Sequence, residues 1–579
     1  MHRRALLLHL ALGTACGDAA SVATDTTDTT DTTVDPVTGG ATTGDTPTGD
    51  PPAGSSASST GPACPANAPP EVPTIQDPLA GRIDVVPESL TIVASGFVDP
   101  DAGDAPGGVE AEIWRVKNGA PDERVWHAAQ DSVPATLTLA DGTFDDPDTT
   151  TLEAWKDHVV RLRYRDEHGP CSAFSPWSED RGFRTDDGST ALFADDTILD
   201  FHLDIPPDSW KKINAEANPP GCVPFTRSYH TGTLRFGDQS FPGAGIKIKG
   251  GCGSSRDLNG KASFKVNLEW DDPEVVGCPG ERRLLGEKHF TFNNGVQDNS
   301  AANERLAYPL FRALGLPAPR AASVRLFVND ELWGVYTHVE TIDRRFLARW
   351  FPDNKGMLYE GTYWCDLIPE NVPPTDDDDS YCITREFAPS PCDVPDLDAD
   401  PEDYALIRQL VLAIDALPQD GFYPAITGLI AWDRFLTTWA VESVIDHWDN
   451  YAFTIKNNYR LYRDPTTGLY TMITTGVDQT FEKDQDPWGV EGVLAARCLQ
   501  APACEAAFAA RLDEVNEALA GSDLPARATA LFDQLSPAIM EDPRKEYGFD
   551  TFVGEHQALQ DFLLTRPDQI RDKLTAHGF

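Results

Sequence analysis

Positive charge is what this chain has least of. Against 92 Asp and Glu stand only 47 Lys and Arg in 579 residues, a formal net charge of −45. Such a field repels the phosphates of DNA and RNA and the anionic face of a membrane, which argues against a nucleic-acid partner. Long apolar runs are scarce as well: beyond the N-terminus no stretch reaches the about 18 residues of a spanning helix. The 12 histidines include no HExxH pair, and the 11 cysteines show no close paired spacing of the zinc type, so a zinc hydrolase lacks its ligand set. What remains is a chain that is 40% hydrophobic, with a length that suits roughly three to four domains.

The first 16 residues, MHRRALLLHLALGTAC, place two arginines before a short apolar run and small residues, the pattern of an export signal. The stretch Leu12-Gly13-Thr14-Ala15 before Cys16 resembles a bacterial lipoprotein signal. Cys16 is therefore either a lipidation site, giving membrane attachment and a place in the bacterial cell envelope or surface, or part of an ordinary cleaved signal. Residues 17–63 are mostly Thr, Asp, Gly, Ser, Pro and Ala without Lys or Arg, and have almost nothing to bury; they read as a disordered tether. Setting Cys16 aside leaves ten cysteines, an even number that suits disulfides in an extracytoplasmic protein.

Residues 64–188 carry short β-like runs separated by turn clusters. In HVVRLRYRDEHGPCSAFSPWSEDRGFRT, Val160, Leu162 and Tyr164 alternate with Val159, Arg161, Arg163 and Arg165, as in a strand with one wet face. The closing stretch resembles the last two strands of a fibronectin type III domain, so a β-sandwich is expected. Asp99, Asp101 and Asp104 in DPDAGD read either as a solvated, Asx-capped turn or as calcium ligands. Residues 189–579 read as a larger α+β domain. Strand-like pieces come first, followed by an amphipathic helix at 300–314 and a hairpin turning at Asn329-Asp330; the stretch 401–448 is helical, and a helical tail ends the chain. A Cys- and Asp-rich insertion occupies 361–400, its run Asp376 to Asp379 reading as a solvated loop.

Within this domain the blocks GIKIKGGCGSSR, KASFKVNLEW, RRLLGEKHFTFNN, NERLAYPLFRALGLPAPRAASVRLFVNDELWGVYTHVETIDRRFL, HWDNYAFTIKNNYRLYRDP and GVDQTF occur in order. They resemble the spore coat protein H family of atypical secreted protein kinases. The resemblance implies a multidomain protein, an all-β sandwich followed by an α+β atypical protein-kinase-like domain, that moves the γ-phosphoryl group of ATP to Ser or Thr of a protein substrate with Mg²⁺ or Mn²⁺.

Phosphoryl transfer needs cations on the phosphates, oxygen ligands for a divalent ion and a carboxylate at the incoming hydroxyl. Lys265 alternates with Phe264 and Val266, so it projects from the polar face of its strand, as a phosphate-pairing lysine would. Lys247 and Lys249 share a face of the preceding strand, and GGCGSSR supplies a turn whose amides can cradle phosphate. All three lysines could equally be surface charges. Glu304 corresponds by resemblance to the ion-pair partner of the nucleotide-binding lysine, and also suits a helix N-terminus. Here Asn303 stands where the family often has a basic residue. Glu340 is implied at the nucleotide edge by the resemblance alone. Asp449 lies where the family has its catalytic aspartate, with Asp446 a rival on the same face if the chain stays helical. Asn458, with Asn457 beside it, and Asp478 are the expected metal ligands. The family usually has a further aspartate where this chain has Gly476, which leaves open an inactive kinase fold used as an adhesion or scaffold protein of the cell surface or spore coat.

Overall fold

The computed structural model describes residues 67–579, apart from 79–81, 102, 118, 169–170, 218–226, 375–380 and 387–402. The export signal, the tether, Cys64, Cys222, Cys392 and the run Asp376 to Asp379 lie outside the described residues.

Period-two alternation builds the N-terminal β region. One sheet has three strands (Ile75–Asp77, Thr91–Ala94, Leu137–Thr138). The other has six, in the order Arg82–Val85, Arg181–Thr185, Asp157–Asp166, Pro106–Lys117, Ala120–Gln130, Thr143–Phe144. Val160, Leu162 and Tyr164 are buried with Ile113 and Trp126 between them. On the wet face Arg161 and Arg163 pair with Glu112 and Glu110 and lie over the Trp177 ring. Two serines of SAFSPWS explain that motif, because Ser175 and Ser178 Oγ accept the N–H groups of Tyr164 and Leu162, both at 3.1 Å. In the acidic turn Asp99 Oδ1 accepts the Asp101 N–H at 2.8 Å and Asp101 Oδ2 that of Ala68 at 2.6 Å, and the three carboxylates come within 4.8 Å of one another.

The large domain has two lobes. Seven strands close the upper one into a barrel, in the order Leu199–Asp204, His230–Phe236, Gln239–Lys249, Ser263–Asn267, His289–Asn293, Glu331–Glu340, Ala321–Val328. All neighbours are antiparallel except the closing pair, in which Leu199–Asp204 runs parallel to Ala321–Val328. The alternate apolar residues Ile246, Ile248, Phe264, Val266, Phe290 and Phe292 fill the barrel, so the lysines between them face outward. Asn329 and Asp330 turn the expected hairpin with φ of 50° and 65°, the left-handed pair that a two-residue connection needs.

The lower lobe packs an antiparallel sheet (Ile383–Arg385, Leu358–Gly361, Tyr459–Arg463, Tyr470–Thr474) against helices Asp403–Ala416 and Trp432–Val444 and the C-terminal helices Pro502–Ala520, Leu524–Glu541 and Phe549–Ala576. Helix Asn303–Ala313 buries Leu306, Tyr308 and Phe311 in the same core and so joins the lobes. The tail ties back to the barrel as well, through Asp542, which accepts from Lys261 Nζ at 2.6 Å and from the Val335 N–H at 2.9 Å. Disulfides link Cys365 to Cys382 and Cys498 to Cys504, and Cys171, Cys252 and Cys278 are disulfide-bonded too. No helix among the described residues is long and apolar enough to cross a membrane.

The β region is tied to the upper lobe by a buried ionic cluster. Arg349 Nη2 meets Asp187 Oδ1 at 2.8 Å and its Nε meets Glu340 Oε1 at 3.2 Å, while Arg320 Nη2 reaches Glu340 at 2.7 Å and Glu287 at 3.1 Å. The Trp155 ring lies under the guanidinium groups of Arg184, Arg345 and Arg349.

Candidate active site between the lobes

Three lysines line the barrel face that looks into the cleft. Lys247 stands directly opposite Lys265, and Lys249, two residues on, opposes Ser263. That offset decides which lysine meets the interlobe helix. Lys249 Nζ donates to Asn293 Oδ1, and Asn293 Nδ2 donates to Glu304 Oε1 at 2.6 Å, so Asn293 bridges lysine and glutamate. Burial, then Lys265, lowers the Lys249 ammonium below its ordinary value, while Glu304 and Asp478 oppose this. Glu304 is pushed up to about 8 by burial and by Asp478, against Lys249 and Asn293. The lysine expected beside Glu304 was Lys265. The register places Lys249 there instead, and Lys265 acts on Glu386 and Glu360, which pair with Arg460 at 2.6 and 3.1 Å.

The lower side of the cleft is a loop between Val444 and Tyr459. Helix Trp432–Val444 stops short of the expected Trp448, and Asp446 adopts φ 58°. The helical condition under which Asp446 would share a face with Asp449 is therefore not met. Asp446 Oδ1 accepts the Gln485 N–H at 3.0 Å and lies 4.0 Å from Arg566, pinning the loop to the C-terminal helix. Asp449, only 5% exposed, turns the other way. Its carboxylate accepts from Asn457 Nδ2 at 3.3 and 3.4 Å and from Asn458 Nδ2 at 3.1 Å. Burial raises the Asp449 carboxyl above the usual range, and Asp478 adds to this, whereas His447 and the two amides oppose it.

Asp478 enters from the loop after strand Tyr470–Thr474. Asn303 Nδ2 holds that loop by donating to the backbone oxygens of Asp478 at 2.8 Å and Thr480 at 3.1 Å. The asparagine that departs from the family's basic residue is thus the tie between helix and loop. Burial raises Asp478, with Lys249 as the first opposing influence. Gly476 has φ 61°, and its oxygen accepts from His447 Nε2 at 3.1 Å. A Cβ at this position would lie 2.4 Å from Asn458 Oδ1.

Lys249, Glu304, Asp449, Asn458 and Asp478 are thus brought together, and Lys265 lines the same cleft one step away. Glu340 is not among them. Burial raises it, but Arg320 and Arg349 hold its carboxylate below the usual range, and its oxygens are taken up at the junction with the β region. Its carboxylate serves the junction, and the nucleotide-edge role of Glu340 stands only as what the resemblance implies. Asn293 went unnoticed in the sequence, although its place after Phe290 and Phe292 on the polar face of HFTFNN was a signal.

The donor set suits a hard divalent cation, which takes carboxylate and amide oxygens. Asn458 commits its nitrogen to Asp449, leaving Oδ1 for a ligand, and Asp478 raises the carboxyls of both Glu304 and Asp449, with Lys249 the cation that opposes this at Glu304 and Asp478. That excess of negative charge fits a bound cation.

The chain is similar to several known proteins. Inner spore coat protein H of Bacillus subtilis is 21% identical over 309 residues, covering 51% of this chain and 80% of that protein. Invasin CotH2 of Rhizopus delemar is 24% identical over 274 residues, covering 44% of this chain and 41% of its own length. Among solved structures, the Helicobacter pylori proinflammatory kinase CtkA aligns over 57% of this chain and 94% of its own at 10% identity, with a TM-score of 0.20. The family model described as CotH kinase protein matches residues 246–570, more than half of the chain and all of the cleft residues named above, so the chain belongs to the CotH kinase family.

Proposed function

We propose that this protein is a phosphotransferase of the cell surface, moving the γ-phosphoryl group of ATP to a Ser or Thr hydroxyl of a protein substrate. The observation that carries the reading is the convergence of Lys249, Asn293 and Glu304 from the upper lobe with Asp449, Asn458 and Asp478 from the lower. A surface location is supported by the spore coat and invasin names of the relatives.

In this reading Lys249 meets the phosphates, with Asn293 and Glu304 fixing its ammonium; Lys247 and Lys265 add positive charge along the same face. Asp478 and Asn458 Oδ1 would hold Mg²⁺ or Mn²⁺, which supplies charge neutralisation on the phosphate oxygens when bound. Asp449 orients the acceptor hydroxyl and takes its proton as the oxygen bonds to phosphorus and ADP leaves. The raised carboxyl of Asp449 makes it a better proton acceptor than an exposed aspartate.

Gly476, where the family usually has an aspartate, favours a second reading in which the fold binds nucleotide or a partner without transfer. The two differ in one assay, incorporation of labelled γ-phosphate into the protein itself or into Ser-rich peptides with Mg²⁺ or Mn²⁺. Label that disappears in Asp449→Asn supports the kinase; nucleotide binding with no label in any metal supports the scaffold.

A further inference from the structure

Two adjacent asparagines end the loop that carries Asp449, and their side chains reach different partners. Asn458 Nδ2 donates to the Asp449 backbone oxygen at 2.8 Å and to its Oδ2 at 3.1 Å, and also reaches Gly476 O at 3.4 Å, on the loop that leads to Asp478. Asn457 Nδ2 instead bridges the carboxylate, 3.4 Å from Oδ1 and 3.3 Å from Oδ2. One nitrogen divided between two oxygens accounts for the length of both bonds. Asp449 Oδ2 thus takes two amides, while Oδ1 takes only that of Asn457 among the described residues.

The backbone around this amide is held from several sides. Lys456 and Asn458 flank it with φ of 49° and 53°, a left-handed conformation that residues with side chains seldom adopt. The Cys365 N–H fastens Lys456 O at 3.0 Å, the Asn457 N–H donates to Asn450 O at 3.3 Å, and the Thr475 N–H donates to Asn458 O at 2.9 Å. Lys456 Nζ meets Glu491 Oε2 at 3.0 Å. Asn457 itself is only 6% exposed, so water does not compete for its amide. A carboxylate gripped at one oxygen can still rotate about its Cβ–Cγ bond; an amide shared between both oxygens fixes its plane.

We infer that Asn457 is a positioning residue for phosphoryl transfer and not a metal ligand: by bridging both oxygens it sets the plane of the Asp449 carboxylate and leaves Oδ1 turned to the acceptor hydroxyl. This rests on the kinase reading above. The neighbouring asparagines divide the work, Asn458 facing the Asp478 loop at Gly476 and Asn457 facing the carboxylate. In the step served, the acceptor oxygen bonds to phosphorus, the bond to ADP breaks with its electron pair on ADP, and the hydroxyl proton passes to Oδ1. Losing Asn457 therefore acts on the rate and not on the hold on nucleotide or cation.

The test uses the full chain as wild type, Asn457→Ala, Asn457→Leu, Asn458→Ala, Asp449→Asn and the double variant Asp449→Asn with Asn457→Leu. The measurements are kcat for peptide phosphorylation, KM for ATP and the Mn²⁺ concentration giving half the maximal rate. Asn457→Leu keeps the side-chain volume and removes the donor, so it carries the reading should Asn457→Ala fail to fold. Each Asn457 variant should lose about tenfold in kcat, with KM for ATP and the Mn²⁺ requirement within about twofold of wild type. Asn458→Ala should raise the Mn²⁺ requirement instead. Because Asn457 works through Asp449, the double variant should transfer no more slowly than Asp449→Asn alone, whereas a merely structural role would lower it further. Wild-type kcat in the Asn457 variants, a Mn²⁺ requirement that rises in them as in Asn458→Ala, or a further loss in the double variant would overturn the inference and leave the kinase reading standing. A wild-type protein that transfers nothing would overturn both.

Discussion

Gly476 and Asn458 fit one another at the expense of any other residue at 476. The glycine has φ 61°, and a Cβ there would sit 2.4 Å from Asn458 Oδ1 and 2.5 Å from Cγ. Asn458 cannot simply swing aside, because its Nδ2 is bonded to the Asp449 backbone oxygen at 2.8 Å and to its carboxylate at 3.1 Å. The missing family aspartate is therefore matched by the approach of Asn458. Gly476→Ala should cost about 1–2 kcal/mol from the left-handed backbone alone. It should also displace the amide from Asp449 and abolish any metal dependence of nucleotide binding, which melting in ATP with and without Mg²⁺ or Mn²⁺ would record. An active Gly476→Asp variant would show that the two positions are not coupled in this way.

The lysines should separate in a binding experiment. Lys249→Ala removes a charged hydrogen-bond partner of Asn293 and the cation nearest Glu304 and Asp478, and should weaken ATP about 10- to 100-fold. Lys265→Ala, whose influence falls on Glu360 and Glu386, should have the smaller effect. Asn293→Leu should fall with Lys249→Ala, since it cuts the bridge to Glu304. Calorimetric titration of ATP against the three variants checks the order.

At the junction, Glu340 should matter for folding and not for nucleotide. Arg349→Met leaves Asp187, Glu340 and Glu287 without one of their two main cations in a buried setting, and should cost about 3–5 kcal/mol in denaturant unfolding. Glu340→Gln should destabilise the protein while leaving ATP affinity of the folded molecule unchanged. A large affinity loss in Glu340→Gln at preserved stability would return that residue to the site.

His338 gives the barrel a pH dependence. Its ring is fully buried among Phe193, Phe201, Phe290 and Phe292, and burial lowers it to about 4 from 6.5. Between those values the unfolded chain binds a proton that the folded barrel refuses. The contribution is therefore fully present above about pH 6.5 and lost as pH falls toward 4, about 3 kcal/mol in all. His338→Phe should flatten that part of the stability profile, whatever it costs at pH 7 by losing the bond to Thr291 O. An unchanged slope would mean that the acid sensitivity lies elsewhere.

Much of this architecture was legible in the alternation of residues. Phe264 and Val266 inward with Lys265 outward, and Val160, Leu162 and Tyr164 inward with the arginines outward, are what a half-buried strand requires. Asn329-Asp330 announced its own turn. What could not be read was register and the ends of helices. Whether Lys249 or Lys265 meets Glu304 depends on a two-residue offset between paired strands, and local pattern does not carry that offset. The helix into HWDNY looked continuous because its apolar spacing continues. Contacts from Gln485 and Arg566, distant in sequence, hold Asp446 out of it. The ion pairs of Glu340 were hidden for the same reason, its partners Arg320 and Arg349 lying outside its own strand.

The central claim is that Asp478 and Asp449 divide metal binding from chemistry, and one paired measurement tests it most directly: ATP-induced stabilisation and γ-phosphate transfer, both in Mn²⁺ or Mg²⁺, for wild type, Asp478→Asn, Asp449→Asn and Asp446→Asn. Saturating ATP at about 100 times Kd adds about 2.7 kcal/mol to the wild type. Asp478→Asn should lose both that gain and transfer. Asp449→Asn should keep the gain and lose transfer roughly 10²–10⁴-fold. Asp446→Asn, which loosens a loop contact, should keep measurable transfer. Full transfer in Asp449→Asn with none in Asp446→Asn, or no stabilisation of the wild type by ATP with either metal, would contradict the account.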